Sequence, residues 1–132
     1  MNLNSYYIRV AGTLSARGSS IDKIYFNGGS NIPNYSIDFT ISSTNWNEQT
    51  GSGCIIENAV INSTHTGINI ESVEPKINNN YISAFYAIDV YRASPEISNN
   101  IINGAIGVHD ASPTITGNTI TGKIEIGERY GA

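Results

Sequence analysis

Three segments of this chain superpose without a gap: Pro75-Lys76-Ile77-Asn78-Asn79-Asn80-Tyr81-Ile82, Pro95-Glu96-Ile97-Ser98-Asn99-Asn100-Ile101-Ile102 and Pro113-Thr114-Ile115-Thr116-Gly117-Asn118-Thr119-Ile120. Each reads Pro-x-Ile-x-x-Asn-x-Ile and is followed by a second apolar pair, Ile88/Val90, Ile106/Val108 or Ile124/Ile126. The period is near 20 residues, with 97 − 77 = 20 and 115 − 97 = 18. A fixed motif at such a period marks a solenoid, in which each rung buries its apolar face only against the next.

One rung earlier, Gly53-Cys54-Ile55-Ile56-Glu57-Asn58-Ala59-Val60 fits the frame with Gly in place of Pro, aligning Ile55 with Ile77 at 77 − 55 = 22 residues. The spare residues fall between Val60 and Ile68, Ile82 and Ile88, and Ile102 and Ile106. A strand cannot take an insertion without turning its side chains to the other face, whereas a loop absorbs one cheaply. Each rung is therefore expected to hold three short strands. Pro opens the first, where its missing N–H breaks no ladder. A corner ending in Asn58, Asn80, Asn100 or Asn118 follows. Asn tolerates a left-handed backbone, and its amide, stacked at the same place in every rung, donates and accepts along the axis. The second strand carries Val60, Ile82, Ile102 or Ile120. The third alternates apolar and polar residues, as in Ile88-Asp89-Val90, the pattern of a half-buried strand.

These Asn-corner rungs resemble an all-β, right-handed, single-stranded parallel β-helix of the pectin-lyase-like superfamily. They are most similar to the short PbH1 repeats of its NosD and CASH group, the carbohydrate-binding proteins and sugar hydrolases. The run from Ile8 to Ala16, followed by Ile24-Tyr25-Phe26, resembles the opening coil of secreted β-helix proteins. Third-strand elements at Ile8, Ile37, Ile68, Ile88, Ile106 and Ile124 then imply about five turns, each rising ~4.8 Å. Residues 1–132 read as one β-helix domain, with irregular coils and longer loops over 1–52 and regular repeats over 53–132. The resemblance implies an exported, cell-surface or virion protein. Met1-Asn2-Leu3-Asn4 has neither the basic start nor the apolar stretch of a signal peptide, so the chain is expected to be a segment of a larger surface protein.

One domain is expected at 132 residues. A net charge of −4 without a Lys/Arg cluster argues against nucleic-acid or anionic-membrane partners. No stretch approaches a membrane span, so no membrane insertion is expected. The single Cys54 excludes an internal disulfide and a Cys-based zinc site. Its place before Ile55 suggests an outward, exposed thiol.

In the enzymes this fold resembles, catalytic and calcium-binding groups project from the third-strand sheet. Its outward residues align as Arg9, Asp38, Asn69, Asp89, Gly107 and Glu125, and two residues on as Ala11, Thr40, Glu71, Tyr91, His109 and Gly127. Like-placed side chains lie ~5 Å apart between rungs. Asp38, Asn69, Glu71 and Asp89 offer the hard oxygens that Ca²⁺ accepts in loose geometry; the alternative is a solvated polar face. Tyr91, Arg92, His109 and Asp110 gather an acid/base, a cation and a carboxylate, which proton abstraction beside a uronate carboxylate requires. Only Gly104-Ala105 separates the second and third strands there, and short loops exclude little water.

Tyr81, Phe85, Tyr86 and Tyr91 present flat rings beside Asn and Asp, a combination that suits sugar faces. Trp46, on the insertion from Ser42 to Gly53, is expected to lie over an end or a flank. Thr114, Thr116, Thr119 and Thr121 occupy a single rung, too few for the flat array of an ice-binding solenoid. Two function classes follow. The first is a non-catalytic scaffold and recognition module, contacting polysaccharide and requiring no cofactor. The alternative is a polysaccharide lyase, epimerase or hydrolase, or a fragment of one, acting on a uronate-containing glycan. Only Gly127-Glu128-Arg129-Tyr130-Gly131-Ala132 follows the last rung, too little to cap it. Self-association through an end or flank is expected, with Tyr130 at or near the contact.

Overall fold

The structure, a computed structural model, describes residues 1–29 and 34–127. In chain order the strands are β1 (Asn2–Asn4), β2 (Ile8–Val10), β3 (Ser15–Arg17), β4 (Ile24–Gly28) and β5 (Tyr35–Phe39). Next come β6 (Ile55–Glu57), β7 (Ala59–Asn62), β8 (Thr66–Glu71), β9 (Lys76–Asn78) and β10 (Tyr81–Tyr91). Last are β11 (Glu96–Ser98), β12 (Ile101–His109), β13 (Thr114–Thr116), β14 (Thr119–Ile120) and β15 (Ile124–Gly127). Among the described residues there is no helix, and none is long and apolar enough to cross a membrane.

The strands pair in parallel. One five-stranded sheet runs β13-β11-β9-β6-β3. A ten-stranded sheet runs β1-β4-β7-β10-β8-β5-β2, with β12 pairing β10, β14 and β15. The fold is thus all-β, with parallel strands in curled sheets, an arrangement compatible with a β-helix or solenoid. Between the sheets lies an aliphatic core in which Ile56, Ile61, Ile68, Ile77, Ile82, Ile88, Ile97, Ile102 and Ile106 are each 0% exposed. Burying one such side chain stabilises the fold by about 1.5–3 kcal/mol. Because the motif returns at every level, each isoleucine stacks on its counterpart, and the repeat becomes the core.

The register follows the repeat where the repeat is regular. Ile77 pairs with Ile97 and Ile97 with Ile115, and the third-strand isoleucines Ile8, Ile37, Ile68, Ile88, Ile106 and Ile124 stand in one continuous ladder. At the Gly53 rung the expected frame is off by one. Ile56, not Ile55, pairs with Ile77, and Ile61, not Val60, pairs with Ile82. Ile55 points to the other face yet is only 1% exposed. The Trp46 insertion lies over that face, its ring 5.6 Å from both Arg17 and Lys76; Lys76 pairs with Ile55, and Arg17 pairs with Glu57 two residues on. Two adjacent isoleucines are thus buried on opposite faces, which erases the alternation that would have fixed the register. Trp46 itself is half-buried on this flank.

The same shift removes Asn58 from the Asn ladder. Asn80, Asn100 and Asn118 form it, with Ala59 in the next place. The left-handed residue of the corner is the one before the ladder Asn, not the ladder Asn itself: Asn58, Asn79, Asn99 and Gly117 have φ of 52°, 57°, 58° and 66°. Asn58 instead donates from Nδ2 to the Gly18 carbonyl at 3.2 Å. Ser72, Arg92 and Asp110, after the third strand, form a second left-handed corner with φ of 56°, 49° and 48°.

Two more expectations are corrected. Cys54 is fully buried, its thiol donating to the Gly12 carbonyl at 3.3 Å and accepting from the Leu14 N–H at 3.4 Å. The loop expected between second and third strands has no independent existence in β10 and β12, which run through both positions with register shifts at Ser83, Tyr86 and Ile88. Tyr130 lies outside the described residues.

Candidate functional site

Asp89 and Tyr91, two residues apart on β10, project from the same face, and His109 stands beside Tyr91 on the next strand. The Tyr91 hydroxyl donates to Asp89 Oδ2 at 2.9 Å, and His109 Nε2 lies 2.9 Å from Asp89 Oδ1. The two rings stack with centroids 4.4 Å apart and planes within 9°. Gly107 makes this diagonal contact possible: it pairs with Asp89, and a Cβ there would overlap Asp89 Oδ1 and come 3.0 Å from His109 Nε2. Asp89 is only 8% exposed. A buried carboxylate that takes the Nε2 hydrogen fixes the imidazole's orientation and leaves Nδ1 as the atom able to accept a proton.

Of the four residues expected to gather for proton transfer, Tyr91 and His109 meet and the other two do not join them. Arg92 turns to Glu71, with Nε and Nη2 at 3.3 and 3.2 Å from Oε2. Asp110 is exposed at the left-handed corner. The carboxylate that serves His109 is Asp89. A glycine in an otherwise polar column was the sequence signal for this contact.

Asp38, Asn69 and Asp89 share a column, as expected. Asn69 donates from Nδ2 to Asp38 Oδ1 at 3.0 Å, while Asp89 faces Tyr91 and His109, and Glu71 faces Arg92. Asn69 is buried, and its Oδ1 is a buried polar atom without a hydrogen-bond partner. Among the described residues no three His, Cys, Asp or Glu side chains come together in a way that could hold a metal ion. Burial, followed by the Asp38 carboxylate, pushes the nearby Tyr35 phenol above its usual range.

The four aromatics named for sugar contact divide among three surfaces. Tyr81 projects from the outer face of the β7–β10–β12 ladder and Tyr91 from the Asp89 face. Phe85 and Tyr86 sit at the bend of β10. Phe85 is 66% exposed. It stacks on His65 at 5.9 Å and 17° and meets Tyr86 edge-on at 5.2 Å. Beside Phe85 runs an open groove of about 410 Å³, floored by Gly104, Ala105 and Gly122 and bordered by Lys123 and Glu125. The Tyr86 hydroxyl donates to Glu125 Oε1 at 3.0 Å, and Lys123 Nζ lies 3.0 Å from Oε2. Lys123 first, then Tyr86, hydrogen-bonds the Glu125 carboxyl and holds it below the usual carboxylate range. His65 and Lys123 join this cluster only through stacking between levels, which no local motif announces.

No protein-family model, curated protein or solved structure matches this chain.

Proposed function

We propose that the chain is a non-catalytic, right-handed parallel β-helix of about five turns, of the pectin-lyase-like type with NosD/CASH repeats. It serves an exported, cell-surface or virion protein as a stiff scaffold and recognition module that contacts carbohydrate. The observation that carries this reading is the Phe85 groove. An exposed ring covers the C–H face of a sugar, while the backbone groups and the Lys123–Glu125 pair at its border take hydroxyls. The groove is open, and open sites favour contact over chemistry that needs water excluded. Chromatography over neutral and uronate-containing glycans, with and without Ca²⁺, tests it. Retention by at least one glycan, weakened at least tenfold by Phe85→Ala, is expected. Retention by none, or retention indifferent to Phe85→Ala, overturns the reading.

A second reading, a uronate-directed lyase, epimerase or hydrolase, is favoured by Asp89 holding His109 beside Tyr91. In it His109 Nδ1 takes the proton. Asp38, Glu71 and Asp89, named with Asn69 as a Ca²⁺ ligand set, do not gather as one among the described residues, so no step of this reading is assigned to a metal ion. The non-catalytic reading requires no cofactor.

A further inference from the structure

Among the described residues, the outer face of the β4–β7–β10–β12–β14 ladder differs from the faces on either side of it. Its first row runs Tyr25, Val60, Tyr81, Ile101, Thr119. Tyr25, Tyr81 and Ile101 are 50%, 39% and 52% exposed, so four apolar side chains form a stripe across four successive levels. The second row runs Asn27, Asn62, Ser83, Asn103, Thr121 and is knitted by side-chain bonds, among them Asn62 Nδ2 to Asn27 Oδ1 at 3.1 Å and Thr121 Oγ1 to Asn103 Oδ1 at 3.0 Å. Neither row carries a charge. The faces on either side carry Arg17, Glu57, Lys76 and Glu96, and Asp38, Asp89 and Glu125.

We propose that two copies of this chain associate through this face, about a two-fold axis that sets their stacking directions antiparallel. Charge selects the occupant. On a chain of net charge −4, this is a surface on which two copies meet without like charges opposed. The order of the stripe supplies self-complementarity. Reversed upon itself, Tyr25–Val60–Tyr81–Ile101 sets Tyr25 against the partner's Ile101 and Val60 against the partner's Tyr81, an aromatic against an aliphatic at every step. The same axis lays the amide row on the amide row, Asn27 opposite the partner's Asn103, so its polar groups stay paired or wet. Lys23, which borders the stripe beside Asn58 and Asn79, comes opposite the uncharged corner at Asn99. The face is short along the stacking direction, so the dimer dissociates on dilution.

Sedimentation velocity over about two decades of concentration tests this by mass action. The expected result is a monomer at the dilute end shifting to a dimer at the concentrated end. Ile101→Glu is expected to leave a monomer throughout, melting like the dilute, monomeric wild type because the position is exposed. Phe85→Ala, on a different surface, leaves the dimer intact, so failure here is separable from failure of the glycan reading. Orientation is read from the paired variant Tyr25→Cys/Ile101→Cys, which cross-links between copies under oxidation while buried Cys54 stays inert. Tyr25→Cys alone does not cross-link, since the two copies of residue 25 lie about 14 Å apart along the stack, three levels of ~4.8 Å. A monomer at every concentration overturns the proposal. So does a dimer that survives Ile101→Glu, or cross-linking by Tyr25→Cys alone.

Discussion

Asn99 and Asn100 occupy one corner, and the corner uses the backbone of the first and the amide of the second. Asn99 holds φ at 58° with its side chain exposed, the place Gly117 takes one level on. Asn100 is 1% exposed. Its Oδ1 accepts from the N–H and Nδ2 of Asn80, and its Nδ2 donates to the Ile77 carbonyl and to Asn118 Oδ1. Asn99→Gly is therefore expected to leave the melting temperature unchanged or raised, since glycine adopts this backbone without strain. Asn100→Ala strands buried donors and acceptors and should cost at least about 1–3 kcal/mol. Asn103→Ala, on an exposed side chain, should change stability by no more than about 0.5 kcal/mol. Denaturant unfolding of the three variants checks the ranking, and equal losses at 99 and 100 would contradict it. The sequence shows that Asn recurs here, and a buried amide ladder could be expected from that. It does not show which of two neighbouring asparagines turns inward, because both conformations suit the residue and only stacking on the next level separates them.

At the scale of the strand, stacking decides contacts that no single segment contains. The Asp89–His109 contact depends on the empty position at Gly107, one level from Asp89 on β12. Gly107→Ala should force both side chains to move, costing about 1–3 kcal/mol by overpacking and displacing the His109 ring resonances in the NMR spectrum as the Asp89 contact is lost. Gly127→Ala, where a Cβ meets nothing within 4 Å, is the control and should do neither. Unchanged His109 ring resonances in Gly107→Ala would mean that the glycine is incidental. The third-strand columns were legible because alternating Ile-x-Ile or Ile-x-Val fixes both face and level. At Ile55-Ile56 the alternation fails, since the Trp46 flank buries the outward isoleucine as well, and the frame slipped by one. The exposure expected of Cys54 failed with it, and Asn58 lost its place in the ladder.

For the molecule as a whole, a repeating core builds a stiff body whose faces differ only in what points outward. One face carries the Asp89–His109–Tyr91 contact, another the uncharged stripe, and the bend between them the Phe85 groove. The parallel, all-β architecture was readable from the repeat because a period and an inward isoleucine together specify it. The groove was readable only in Phe85, which stands out in sequence beside Tyr86, whereas Lys123 and Glu125 reach it from another level and His65 stacks on Phe85 from a third. In the proposed function, the groove binds sugar without turning it over. Calorimetric titration of the chain with the oligosaccharide selected by chromatography tests both halves in one trace. A saturating heat that returns to baseline after each injection and disappears in Phe85→Ala is expected. No heat at all, or a sustained heat after saturation that is abolished by His109→Ala, would contradict it.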